Sequence, residues 1–203
     1  GFGVTQRIRA WELKHKVTNL DNLARLPSPI FPADSDQIKT MIEYCHEIET
    51  KTGQDLKLII LDTLARCYGG NDENSSRDMG AFIKGCDTIK QLTGATVLVV
   101  HHSGKKEDSG GRGSNALPAA LDVEYRLSRD GEDEQALVLT CSKMKDAEQP
   151  DTKAYDLTSV HIRIDSDGDD INSLCLIPVG RTPNGDDQGL PKASHISDNH
   201  EAL

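Results

Sequence analysis

Two short apolar runs with a helical stretch between them constrain this chain more than any other feature. Leu58-Ile59-Ile60-Leu61 ends at Asp62, and Thr96-Val97-Leu98-Val99-Val100 ends at His101-His102. An unbroken apolar run reads as a strand buried on both faces, as in a parallel sheet covered by helices. Between the runs, Met79, Phe82, Ile83, Cys86, Ile89 and Leu92 recur at helical spacing, with Ser75 or Ser76 as the cap and Gly94 as the stop. Strand, helix, strand with these connections is a βαβ unit, so the strands are expected to be parallel and the crossover right-handed. Asp62 and the histidines then leave the sheet at one edge. In open α/β sheets that edge, outside the carboxyl ends of the strands, is where ligands bind.

The flanking segments fill in around this unit. Residues 1–17 read as a helix with Val4, Ile8 and Trp11 on one stripe. Leu20 to Leu26 reads as a short strand ended by Pro27, Pro29 and Pro32. Asp34-Ser35-Asp36 supplies caps for a helix carrying Ile38, Met41, Ile42, Cys45 and Ile48, which Gly53 ends. Leu64 to Ser75 is polar and Gly-rich and is expected to be a loop. Ser103 to Asn115 lacks apolar residues and is expected to be a flexible loop, followed by one helical turn over Ala116 to Leu121. Asp122–Ser128 and Ala136–Lys143 look like a hairpin turning at Asp130-Gly131-Glu132-Asp133. Val160–Asp165 and Leu174–Pro178 read as later strands.

A chain of 203 residues suits one large domain, expected over 1–180, and a polar tail over 181–203. The net charge of −10 argues against a generally basic nucleic-acid coat, although a local basic loop still binds phosphate. Five cysteines without a CxxC pair are expected to be reduced thiols of a cytoplasmic protein. No apolar run approaches the length of a membrane span, so no membrane partner is expected. The first residue is Gly rather than Met, and a start inside a longer protein is expected.

Several groups are candidates for chemistry. Asp62 at a strand tip suits Mg²⁺, which needs one or two carboxylates with waters and phosphate oxygens; a cap of the next turn is the plainer reading. His101-His102 could ligate a metal, act as a base, sense a ligand's charge, or simply start a solvated loop. In the loop, Lys105, Lys106, Arg112 and Ser114 could contact a nucleic-acid backbone, although Glu107 and Asp108 cancel most of its charge. Lys143 and Lys145 end a strand as two like charges that repel unless they meet an anion, which makes a phosphate partner plausible. A metal-dependent nuclease using Asp62, Asp72 and Asp122 is a weaker alternative. No Gly-x-x-x-x-Gly-Lys-Ser/Thr loop occurs in the chain.

Taken in order, Leu58-Ile59-Ile60-Leu61-Asp62-Thr63-Leu64-Ala65-Arg66, Asp72-Glu73-Asn74-Ser75, Val97-Leu98-Val99-Val100-His101-His102-Ser103-Gly104-Lys105 and Arg112-Gly113-Ser114-Asn115-Ala116-Leu117 resemble RecA-like P-loop ATPases of the RepA type. These are hexameric replicative DNA helicases of plasmids and phages, related to DnaB. The resemblance covers about residues 1 to 148. It implies a three-layer RecA-like α/β fold, with a mainly parallel central sheet and a C-terminal antiparallel hairpin. Asp62 matches the Walker B aspartate that holds Mg²⁺ through water, with Thr63 and His101 beside the nucleotide. His102 matches the γ-phosphate sensor, and residues 103–115 match the loop facing single-stranded DNA. Lys143 and Lys145 match the element that reaches a neighbouring subunit's phosphates, with lysine in place of the usual arginine. The family's phosphate loop and catalytic glutamate precede the segment matched here, so an N-terminally truncated relative, inactive alone, is expected. The implied activity is ATP-dependent translocation on single-stranded DNA by a homo-oligomeric, hexameric ring in a bacterial or phage-infected cytoplasm. The alternative is a non-hydrolysing DNA-binding or assembly module of the same fold.

Overall fold

In the computed structural model, which describes residues 2–18, 20–102, 116–129 and 136–180, the elements run in this order. They are α1 Phe2–His15, α2 Ser35–Thr52, β1 Leu58–Asp62, α3 Leu64–Cys67, α4 Ser76–Thr93, β2 Thr96–Val100, α5 Ala116–Ala120, β3 Val123–Arg129, β4 Ala136–Met144, β5 Lys153–Ile164 and β6 Asp170–Val179. The chain divides into two compact units, one holding the described residues of Gly1–Leu20 and Asp122–Leu203, the other Asp21–Leu121. The class is α/β, as expected.

In the unit Asp21–Leu121, β1 and β2 pair in parallel, with Leu58 opposite Thr96 and Asp62 opposite Val100. The helices form where the sequence supplies caps. The Asp34 carboxylate accepts from the backbone N–H groups of Asp36 and Gln37 at the start of α2, and Ser75 Oγ accepts from Asp78 N–H at the start of α4. Gly53 and Gly94 close the two helices at φ 68° and 69°, in the left-handed region where a Cβ is penalised. Met41 and Cys45 of α2 join Met79, Phe82 and Ile89 of α4 over Ile59 and Leu61 in one core. Each such side chain contributes roughly 1.5–3 kcal/mol by leaving water.

The helices cover one face of the strand pair. Ile59 and Leu61 are each 5% exposed, whereas Leu58 and Ile60 are 47% and 51% exposed. The expected burial of β1 on both faces therefore does not hold here, because α2 and α4 pack on the side of Ile59 and Leu61. Leu20 to Leu26 does not form the expected strand either; it runs as a turn and irregular chain into the prolines.

The other unit carries an antiparallel sheet in the order β3-β4-β5-β6. The expected hairpin is its first half, and the whole has four strands against two in the parallel pair. β5 starts at Lys153, ahead of the apolar alternation at Val160, because Ala154 to Asp156 pair with both β4 and β6. The turn from β5 to β6 closes on Asp165, whose Oδ1 accepts from the N–H groups of Asp167 and Asp169, each at 2.9 Å. α1 packs on β5 and β6. Ala10 is buried in it, while Val4 and Trp11 of the expected stripe stay 38% and 40% exposed. Trp11 stacks on His15, whose Nε2 lies 4.0 Å from Sγ of the buried Cys175. The turn at 130–133 and the tail from 181 lie outside the described residues.

Candidate functional site

The site is built at the carboxyl ends of β1 and β2. Asp62 is the last residue of β1 and is exposed; its register partner, Val100, is the last of β2. His101, half-buried, and His102, exposed, follow directly. Parallel pairing in this register brings the acid and the two histidines out at one rim, as the βαβ pattern implies. The peptide between Asp62 and Thr63 is cis.

The chain does not wander after Asp62. Thr63, 8% exposed, starts the single turn of α3, and its carbonyl accepts from the N–H groups of Arg66 and Cys67 at 3.0 Å. Leu64, Cys67 and Tyr68 are buried at 0%, 5% and 2% exposure. The stretch expected to be a loop thus opens with an anchored helical turn that fixes where Asp62 leaves the strand. Its signal was present in the i, i+3, i+4 spacing of Leu64, Cys67 and Tyr68, set against the polar residues that follow.

Negative charge gathers around this turn. Burial raises the Cys67 thiol pKa; a hydrogen bond donated by the Ile30 backbone opposes the shift, and the Asp62 carboxylate adds to it. Burial pushes Cys86 up to about 12, with Asp87 and Cys67 adding. Tyr68 is raised by burial and then by Asp78, Glu73 and Asp72. These thiols and the phenol stay protonated at neutral pH and serve as packing. Asp72 organises the following turn: its Oδ1 accepts from Asn74 N–H at 2.9 Å, and its own N–H donates to Asp78 Oδ2 at 3.3 Å.

The donor set at the rim fits Mg²⁺. Asp62 offers a hard, exposed carboxylate, and a magnesium ion that keeps its waters needs little more from protein. A site of three or more His, Cys, Asp or Glu ligands does not occur among the described residues. Within the unit Asp21–Leu121, Asp62, Asp72 and His101-His102 form no such ligand set among the described residues, and Asp122 belongs to the other unit.

Lys143 and Lys145 sit in the other unit. Lys145 Nζ lies 3.4 Å from Asp122 Oδ1, and Lys145 N–H donates to the Asp122 carbonyl at 3.0 Å. Lys143 stands opposite Glu124, whose carboxylate accepts from Ser142 Oγ at 2.6 Å. The Lys145–Asp122 pair is exposed to solvent at this strand end. Lys105, Lys106, Arg112 and Ser114 lie outside the described residues. No described helix is long and apolar enough to cross a membrane.

Among curated proteins no relative matches the chain. A family match covers residues 1–108, more than half of the 203 residues, and the family is described as an AAA domain. That stretch contains β1, β2, Asp62 and both histidines. Domains of this kind are P-loop ATPase-like and bind ATP with Mg²⁺, in keeping with the RecA-like class. With its strand-tip carboxylate on the rim of a parallel pair, the chain belongs to the AAA domain family.

Proposed function

We propose that the chain forms part of an ATP-dependent translocase or helicase of the RepA type, coupling Mg-ATP hydrolysis to movement on single-stranded DNA. The observation that supports this most is the parallel register, with Asp62 opposite Val100 and His101-His102 next in line. An acid and a polar sensor at adjacent strand tips are what phosphoryl transfer needs from this half of a nucleotide site. In this reading Asp62, with Thr63 beside it, orients the Mg²⁺ water shell. His102 reads the terminal phosphate and passes its state to the segment 103–115, where Lys105, Lys106, Arg112 and Ser114 meet the DNA backbone. His101 supports it, and Lys143 and Lys145 approach the phosphates of a neighbouring subunit in a ring. The bound Mg²⁺ supplies positive charge against the phosphate oxygens.

The test is Mg-ATP turnover by the product of the whole gene, with and without single-stranded DNA. Turnover stimulated by DNA is expected. Asp62→Asn should lower it by at least a hundredfold while leaving DNA binding within about threefold. Normal turnover by that variant overturns the role of Asp62. A second reading is a non-hydrolysing DNA-binding or assembly module of the same fold. It predicts DNA binding with no turnover under any condition.

A further inference from the structure

A groove of about 580 Å³ runs between α2 and α4, on a face that the nucleotide reading does not use. Ile38 and Ile42 form one wall, and Ala81, Gly85 and Leu92 form the other. Ile38 and Ile42 are half-buried, while Leu92 is 54% exposed. The α4 wall spans 12 residues from Ala81 to Leu92, whose 11 steps at a rise of ~1.5 Å per residue make roughly 16 Å, or three helical turns. The depth comes from Gly85, where a Cβ would stand 1.8 Å from the Pro32 carbonyl oxygen, so the backbone comes close at the groove floor.

The polar lining lies at the exposed rim. Lys39 and Lys84 flank the groove from opposite helices, and neither has an ion-pair partner among the described residues. Glu43 adds one negative charge at the rim, which leaves the groove with a net charge of +1 in a chain whose net charge is −10. A small ligand would be expected to find convergent buried polar groups; here the floor is apolar and the charge sits on the edges. That is the pattern of a helix-in-groove site, with apolar anchors below and charges that set orientation.

We propose that this groove docks an amphipathic helix of a partner protein, about three turns long, whose apolar stripe is flanked by acidic side chains that meet Lys39 and Lys84. Charge decides against a second copy offering α1. That helix carries Arg7, Arg9 and Lys14 against the lone acid Glu12, which is already paired with Arg9 at 2.9 Å.

The experiment uses the full chain and two labelled 14-residue helical peptides with the same Leu stripe, one flanked by Glu and one by Lys. Binding is read by fluorescence anisotropy at low salt, where exposed charges are least screened. The Glu peptide should bind at least tenfold more tightly than the Lys peptide. The variant with Lys39→Glu and Lys84→Glu should invert that preference, which simple damage to the fold would not do. No binding of the Glu peptide, or equal binding of both, overturns the proposal. So does self-association of the chain in sedimentation velocity that the double variant abolishes, since it gives the groove to a second copy.

Discussion

Gly85 leaves no room for a side chain. A Cβ there would stand 1.8 Å from Pro32 O and 2.5 Å from Pro32 C, and both are backbone atoms that cannot swing aside. Gly85→Ala should therefore lose about 2 kcal/mol or more through overpacking, despite alanine's better helix propensity. A urea titration checks this, and an unchanged midpoint would mean the approach of α4 to Pro32 is loose. Asp165 works through charge instead. Hydrogen bonds from Asp169 N–H first, and then Asp167 N–H, hold its carboxyl below the ordinary carboxylate value. A depressed folded-state pKa means the stabilisation is present above the unfolded value and disappears as pH falls through the folded one. The amide signals of Asp167 and Asp169 in an NMR pH titration should move only below the ordinary carboxylate range. A midpoint at or above that range would show that the turn does not favour the ionised form.

β1 shows how one strand divides its work between two faces. Leu61, 5% exposed, lies against α2 and α4, while its neighbour Ile60, 51% exposed, does not. Leu61→Ala should cost ~2–5 kcal/mol, and Ile60→Ala less than ~1 kcal/mol. Chemical denaturation of the pair measures the difference, and equal losses would mean that both faces are covered. The apolar run Leu58 to Leu61 marked a strand correctly, because four apolar residues ending at a charge have few other homes. It did not say which face the helices take, since every residue in the run is apolar and the choice belongs to α2 and α4. The caps were legible for the opposite reason. Asp34, Ser75, Gly53 and Gly94 act on backbone groups within a few residues of themselves.

Across the whole molecule, all five cysteines are free, and Cys45, Cys67, Cys141 and Cys175 are buried. Stability then rests on apolar packing within each unit. The thermal midpoint should stay within about 1 °C with or without dithiothreitol, because no covalent link contributes to the folded state. A drop on reduction, seen by circular dichroism, would reveal a disulfide.

The sequence by itself determined the parallel pair, its crossover helix, the caps and the shared rim of Asp62 with His101-His102. Each follows from spacing and residue type over short stretches of chain. Only the tertiary structure decided that α2 and α4 cover one face of β1, that β5 begins at Lys153, and that Lys145 meets Asp122. Those outcomes depend on which distant groups arrive beside a residue: a strand pairs, a charge is compensated and a face is dried by neighbours far along the chain.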